Sequence, residues 1–384
     1  MTERNQIEVK IGKLVVIDYQ ELTSTLCKNN PIQDKIASAF GSDGIGIIGI
    51  RNVPGFVKAK AELLSLAHSL AHLPEQELKE LEAPEVLYNT GWSHGKEKLK
   101  HGKLDWNKAS FYFNPLTDAP GTKEEQRKYP LSYPSNRWPR SDSLPTFKEA
   151  AQRLGTLMKD VAVQLSKEID NWALSINDSY QPGTLYNSLV DTEKVKGRLL
   201  YYYPLVVEGG KENLNHKNFE DSWIGWHNDS GFLTCLSGGL FMKPDGTILA
   251  SSPSDDAGLY IDRNNQVLKI ELPSDCMGIQ IGECTQILTG GAVTATPHCV
   301  RGAPNVARSS FACFIDTPPT FPLRAPLAQQ LSSLEDVAFS SSRVPPLNKR
   351  WHDGILFGEF LEKTFKMYYN FDPSSHSKDS DDQE

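Results

Sequence analysis

The chain has 384 residues, a formal net charge of -8 and 23% charged residues, a composition ordinary for a globular protein able to bury a sizeable core. The acidic balance, with no long Lys/Arg-rich run, argues against a nucleic-acid-binding surface. No apolar run of about 18 residues stands ready to span a membrane, and the mixed-charge N-terminus is neither a signal nor a transit peptide. A small-molecule partner, a monomer and a cytoplasmic location are the plain expectations. The six cysteines form no C-x-x-C pair, which fits a reducing compartment. Cys299, next to His298, reads as a buried thiol.

In chain order, residues 14–17 (LVVI) read as a short buried strand. Residues 31–40 read as a helix, because Ile32, Ile36 and Phe40 recur on one face. A β-branched strand over 45–50 ends at the Asn52-Val53-Pro54-Gly55 turn. A second helix spans 56–72. His68 and His72 stand i, i+4 on it, but without a third ligand they read as surface or cap histidines. Gly44, Gly46 and Gly49 spell G-x-G-x-x-G. A dinucleotide fingerprint needs a strand before it and a helix opening at its end, and here the order is reversed.

Residues 83–145 read as irregular but packed on the core, with a solvated basic loop over 96–103. In this region Phe111, Tyr112 and Phe113 face either core or pocket. A long helix runs from 145 to 172, with Pro145 in its first turn and Ala150, Leu154, Met158, Val161 and Leu165 on its apolar stripe. After Pro182-Gly183, short strand-like runs alternate with turns, as in a sandwich or barrel. Lys243-Pro244-Asp245-Gly246 reads as a hairpin turn. A polar connection over 327–349, a helix over 353–369 and a tail disordered by composition close the chain.

The stretch GWHNDSGFLTCL places His227 and Asp229 two residues apart, so on a strand both point to one face. His298 in TATPHCVRG is the candidate third ligand. Two histidines and one carboxylate with open positions suit Fe(II) in oxygen-activating enzymes. Ten residues beyond His298 come Arg308 and Ser310, which share a strand face. The arginine can hold a far carboxylate of a 2-oxo acid bidentately, the serine adds a hydroxyl, and Tyr203 in YYYP supplies another. Trp226, beside His227, points to the opposite face and reads as core.

These motifs, in this order, resemble the iron- and 2-oxoglutarate-dependent dioxygenases of the isopenicillin-N-synthase-like group. WHNDSGFLTCL is similar to the family's H-x-D strand, TPHCVRGAPNVARSSFACFI to its H…R-x-S close, and RLLYYYP to its R-x-N-x-Y-P strand. LDWNKASFYF and SNRWP resemble elements further upstream. The resemblance implies a mainly β fold with flanking helices: a double-stranded β-helix (jelly-roll) core, an N-terminal α/β region and a C-terminal helix. It divides the chain into an N-terminal helical region (1–180), a jelly-roll core (181–325), a C-terminal connection and helix (326–372) and a tail (373–384). It implies Fe(II) on His227, Asp229 and His298, 2-oxoglutarate on Arg308, Ser310 and Tyr203, and O2 as oxidant. The reaction implied is hydroxylation or desaturation of a small molecule with release of succinate and CO2. An oxidase of the same fold that needs no 2-oxoglutarate, and a silent ligand-binding protein, remain the alternatives. The chain departs from the pattern in three places. Tyr201 stands where the family has Asn, Glu283 stands where it often has Asp, and a hairpin insertion between Asp229 and Gly258 is expected to lean over the site entrance.

Overall fold

The computed structural model describes residues 10–24, 31–96, 104–204, 224–255, 257–264, 266–303, 305–326 and 343–370. The N-terminal elements are β1 (Lys10–Gly12), β2 (Val15–Asp18), α1 (Tyr19–Thr23), α2 (Ile32–Phe40), β3 (Ile47–Arg51), α3 (Phe56–Ala71) and α4 (Glu75–Leu81). Next come β4 (Gly91–His94), β5 (Lys108–Phe113), α5 (Lys123–Lys128), α6 (Phe147–Ile176) and α7 (Thr184–Leu189). The strand-rich part holds β6 (Val195–Tyr202), β7 (Ile224–His227), β8 (Leu233–Met242), β9 (Gly258–Arg263), β10 (Gln266–Ile270) and β11 (Cys276–Ile281). It continues with α8 (Glu283–Leu288), β12 (His298–Arg301), β13 (Ala307–Ile315), β14 (Pro322–Leu323), β15 (Ile355–Leu356) and α9 (Phe357–Asn370).

Two sheets carry the site. The larger has the order β2-β3-β11-β8-β13-β6-β5-β4, the smaller β1-β10-β9-β12-β7. β8 and β13 pair antiparallel, whereas β1 runs parallel to β10 and β2 parallel to β3, and the two sheets face each other as in a jelly roll. One face of the larger sheet is covered by helices. Ser309 Oγ donates to the Leu64 carbonyl of α3 at 2.9 Å, and Cys235 Sγ lies 3.4 Å from the Met158 carbonyl of α6. The stripe Ala150, Leu154, Met158, Val161, Leu165 and Ile169 buries that face of α6 against β13, β8 and β6. Leu236, Ile47, Ile261 and Leu259 meet between the sheets.

Several expectations need correction. Residues 83–145 are more regular than the sequence suggests: β4 and β5 pair with each other and join the larger sheet through β6. The signal was the alternation in KASFYF, where Ala109, Phe111 and Phe113 turn to the helix-side core. Thr122 caps α5 in a capping box with Glu125. The long helix extends to Ile176. The last helix begins only at Phe357, because Ile355–Leu356 pairs with Pro322–Leu323. Gly49 lies in β3, which a helix precedes, so the glycine triplet has no phosphate-binding geometry. Among the described residues no helix is long and apolar enough to cross a membrane, and Cys235, Cys276, Cys284, Cys299 and Cys313 are buried thiols outside any disulfide. The basic loop from 97, most of the polar connection and the tail lie outside the described residues.

Candidate metal centre and cosubstrate pocket

The smaller sheet builds the centre. β12 and β7 pair antiparallel, with His298 directly opposite His227 and an irregularity just after it. The two rings approach to 4.2 Å between centroids at 53°. Asp229 lies just past the end of β7, in the bend towards β8. Its Oδ1 is 3.9 Å from His227 Nε2 and 3.9 Å from His298 Nε2, and the three ligand atoms all lie within 4.8 Å of one another.

Tautomers follow from the backbone. His227 Nδ1 is 2.8 Å from the Gly225 carbonyl and His298 Nδ1 is 3.1 Å from the Thr296 carbonyl. A carbonyl only accepts, so each Nδ1 carries the proton and each Nε2 presents its lone pair to the shared point. Burial first, then the neighbouring His298, pushes His227 down to about 4 against the pull of Asp229, and the positive charge of Arg198 adds to the effect. A neutral imidazole is what a metal requires. Asp229 Oδ2 is buried with no hydrogen-bond partner among the described residues. A buried carboxylate so placed, facing two imidazole lone pairs, is costly unless a cation sits among them. The donor set therefore fits a divalent transition ion, with carboxylate and imidazole favouring Fe(II) over thiolate-seeking metals.

Behind the ligands stands a network that sequence reading missed. Asn228, between the two ligands, donates its backbone N–H to the Tyr368 hydroxyl at 2.9 Å and its Nδ2 to Glu283 Oε1 at 3.0 Å. Glu283 N donates to the Asp229 carbonyl at 2.8 Å. Arg350 grips both carboxylate oxygens of Glu283, at 2.6 and 2.7 Å. The C-terminal helix α9 is thereby tied to the ligand-bearing turn.

Arg308 and Ser310 share the face of β13 that looks into the space between the sheets, as predicted. Arg308 Nη1 lies 3.4 Å from Ser310 Oγ, and burial lowers the Arg308 pKa. Tyr203 is not beside them. Its ring stacks on His94 at 4.8 Å and meets Tyr201 edge-on at 5.0 Å. The tyrosine at Arg308 is Tyr202, paired with it across β6 and β13, with Arg308 Cζ 5.2 Å from its ring centroid. Tyr201, on the opposite face from Tyr202, joins the helix-side core with His68 and His72.

The insertion packs against two elements. Its turn rests on α3, with the Pro244 carbonyl 3.2 Å from His68 Nε2, while Leu249 and Ala257 pack with Tyr202 and Leu200. Those contacts set it beside Tyr202, the residue paired with Arg308. His72 caps α3 and stacks on His68 at 4.1 Å. Trp226 packs with Tyr260, Val267 and Cys299, as expected for a residue facing away from the centre.

No protein-family model matches the chain, and no curated protein matches it in sequence. Solved structures do match in shape. A protein of Caulobacter crescentus placed in the 2OG-Fe(II) oxygenase family superposes with a TM-score of 0.65 at 17% identity, covering 92% of this chain and 99% of that one. A full-length Neurospora crassa protein in complex with alpha-KG superposes with a TM-score of 0.64 at 18% identity, covering 93% and 96%. The fold is that of the 2-oxoglutarate/Fe(II) oxygenases. An Arabidopsis thaliana dioxygenase for auxin oxidation, in complex with 2-oxoglutarate, shares this oxygenase fold at a TM-score of 0.54 and 15% identity, over 82% and 96%. The oxygenase fold accounts for the jelly-roll core and flanking helices, and it is carried here by a sequence widely diverged from these examples.

Proposed function

We propose that this chain is a non-haem Fe(II)/2-oxoglutarate-dependent dioxygenase that hydroxylates or desaturates a small organic molecule, releasing succinate and CO2. One observation carries the reading: His227, Asp229 and His298 bring three ligand atoms within 4.8 Å of one another; Arg308 and Ser310, side by side on β13, would offer the carboxylate clamp. His227, Asp229 and His298 would hold the metal. When bound, Fe(II) supplies open positions for a chelating 2-oxo acid and for O2. Arg308 and Ser310 would receive the far carboxylate of 2-oxoglutarate, with Tyr202 against the guanidinium. The apolar walls of Leu236, Ile261 and Leu259 keep water from the reacting centre.

Small-molecule substrates are in keeping with the fold, since the Neurospora crassa protein holds thymine together with alpha-KG. The test is consumption of 2-oxoglutarate with formation of succinate by the purified protein. It is expected to require added Fe(II) and to fall at least about 100-fold in Asp229→Ala, beyond the 10- to 100-fold typical of outer-shell changes. Consumption that is indifferent to Asp229 would contradict the reading.

A further inference from the structure

Halfway along β8 the strand changes sides. Before Ser237, Leu236 packs between the sheets while Leu233 and Cys235 face the helices. Beyond Gly238, Phe241 packs with Tyr202 and Leu200 on the inner side, while Leu240 and Met242 join the helix-side core. In an unbroken strand residues 236 and 241 would lie on opposite faces. One extra residue accounts for the change. β13 pairs Ala312 with Leu236 but Ser310 with Gly239, so Ser237 and Gly238 together stand opposite Phe311. Gly238 has φ +76°, a left-handed conformation that glycine adopts at little cost.

A bulge disrupts the ladder where it occurs, and here a side chain repairs it. The buried Ser237 accepts at Oγ from the Phe311 N–H at 3.0 Å and donates to the Gly238 carbonyl at 3.0 Å. Phe311 follows Ser310 directly, so this hydroxyl pins the backbone of β13 where the carboxylate clamp stands. The Arg308 guanidinium leans along the strand to the same place: Nη1 is 3.4 Å from Ser310 Oγ, and a Cβ on Gly239 would lie 3.0 Å from Cζ. The lean is towards the metal ligands, since Ile315 at the end of β13 pairs with Leu233, four residues past Asp229.

We propose that Ser237 is a positioning residue for the cosubstrate: by closing the bulge it fixes how far the Arg308–Ser310 pair stands from the metal ligands, and so selects the chain length of the 2-oxo diacid. It acts through the Phe311 backbone rather than by contact with the acid. A diacid held at the ligand triad by its 2-oxo acid end must bring its far carboxylate to the guanidinium, so the separation of the two ends is read as a number of methylenes. The inference rests on the oxygenase reading above and deepens it by assigning the residue that sets cosubstrate length.

The test loads the full chain anaerobically with Fe(II) and titrates it with 2-oxoglutarate and with 2-oxoadipate, one methylene longer. The visible absorption band of each complex reports binding. The parent is expected to prefer 2-oxoglutarate by at least about tenfold, as sites discriminate a single methylene. In Ser237→Ala the preference is expected to fall to about threefold or less, while Fe(II) affinity, measured by calorimetry, stays that of the parent. Ser237→Thr, which returns the hydroxyl, is expected to restore the preference. A general loss of stability would weaken both acids alike and leave their ratio unchanged. A parent without preference, a Ser237→Ala variant that keeps the parental ratio, or a Ser237→Thr variant that does not restore it overturns the assignment. Should Ser237→Ala fail to fold, Gly238→Ala decides. Its Cβ has room, with Lys60 Nζ the nearest atom at 3.6 Å, but the positive φ strains the bulge, so an unchanged ratio there overturns the proposal as well. A parent that gives no band with either acid would instead strike the oxygenase reading.

Discussion

Arg350→Ala is expected to destabilise the protein by about 3–5 kcal/mol, the cost of stranding one member of a buried ion pair. The side chains of Arg350 and Glu283 are 0% and 2% exposed. Arg350 also donates to Thr364 Oγ1 at 3.0 Å and to the Pro345 carbonyl at 2.9 Å. Removing the guanidinium leaves the Glu283 carboxylate buried, with Asn228 Nδ2 as its remaining side-chain donor among the described residues. Because the Glu283 backbone also holds the Asp229 carbonyl, part of the loss is expected to appear as weaker metal binding. Denaturant midpoints of metal-free and metal-loaded protein measure both. Replacing both partners by apolar groups, Glu283→Leu with Arg350→Met, is expected to recover most of the stability, since desolvation of the pair is then no longer needed. A single variant as stable as the parent would contradict this account of the network.

Arg308→Leu is expected to weaken 2-oxoglutarate binding by at least about 100-fold, as loss of a buried bidentate partner for a carboxylate does, with metal affinity unchanged. Gly239→Ala offers a gentler approach to the same group. Gly239 lies across the strand pair from Ser310, and a Cβ there would come within 3.0 Å of Arg308 Cζ. The backbone of β8 does not prevent alanine, but the guanidinium must move. Binding of 2-oxoglutarate is therefore expected to weaken in Gly239→Ala too, by less than in Arg308→Leu. Calorimetric titration of the metal-loaded variants measures the pair. Undiminished binding in Arg308→Leu would show that the clamp lies elsewhere.

How much was legible in the sequence depended on whether local pattern or strand pairing decides the outcome. His227, Asp229 and His298 were legible because each sits in a run whose strand character and polarity stand out, and their order along the chain limits where they can meet. The Arg308–Ser310 face was legible for the same reason, being a two-residue period. Tyr203 was misassigned because YYYP offers three identical side chains and no alternation to fix register, and a shift of one residue moves every side chain to the other face. Only the pairing of Tyr202 with Arg308 decides it. Arg350 and Glu283 are 67 residues apart, with no local signature that links them. β4 and β5 were obscured by the glycines, prolines and lysines around them, although the alternation in KASFYF was there to be read.

The most direct measurement is an anaerobic titration of 2-oxoglutarate into the Fe(II)-loaded protein, followed by its visible metal-to-ligand charge-transfer absorption. It asks for the metal ligands and the carboxylate clamp at once. A saturable band in the parent, absent in His227→Ala and weakened in Arg308→Leu, is the predicted result. Iron that binds at the triad without giving a band with 2-oxoglutarate, or a protein that binds no iron at all, would contradict the account.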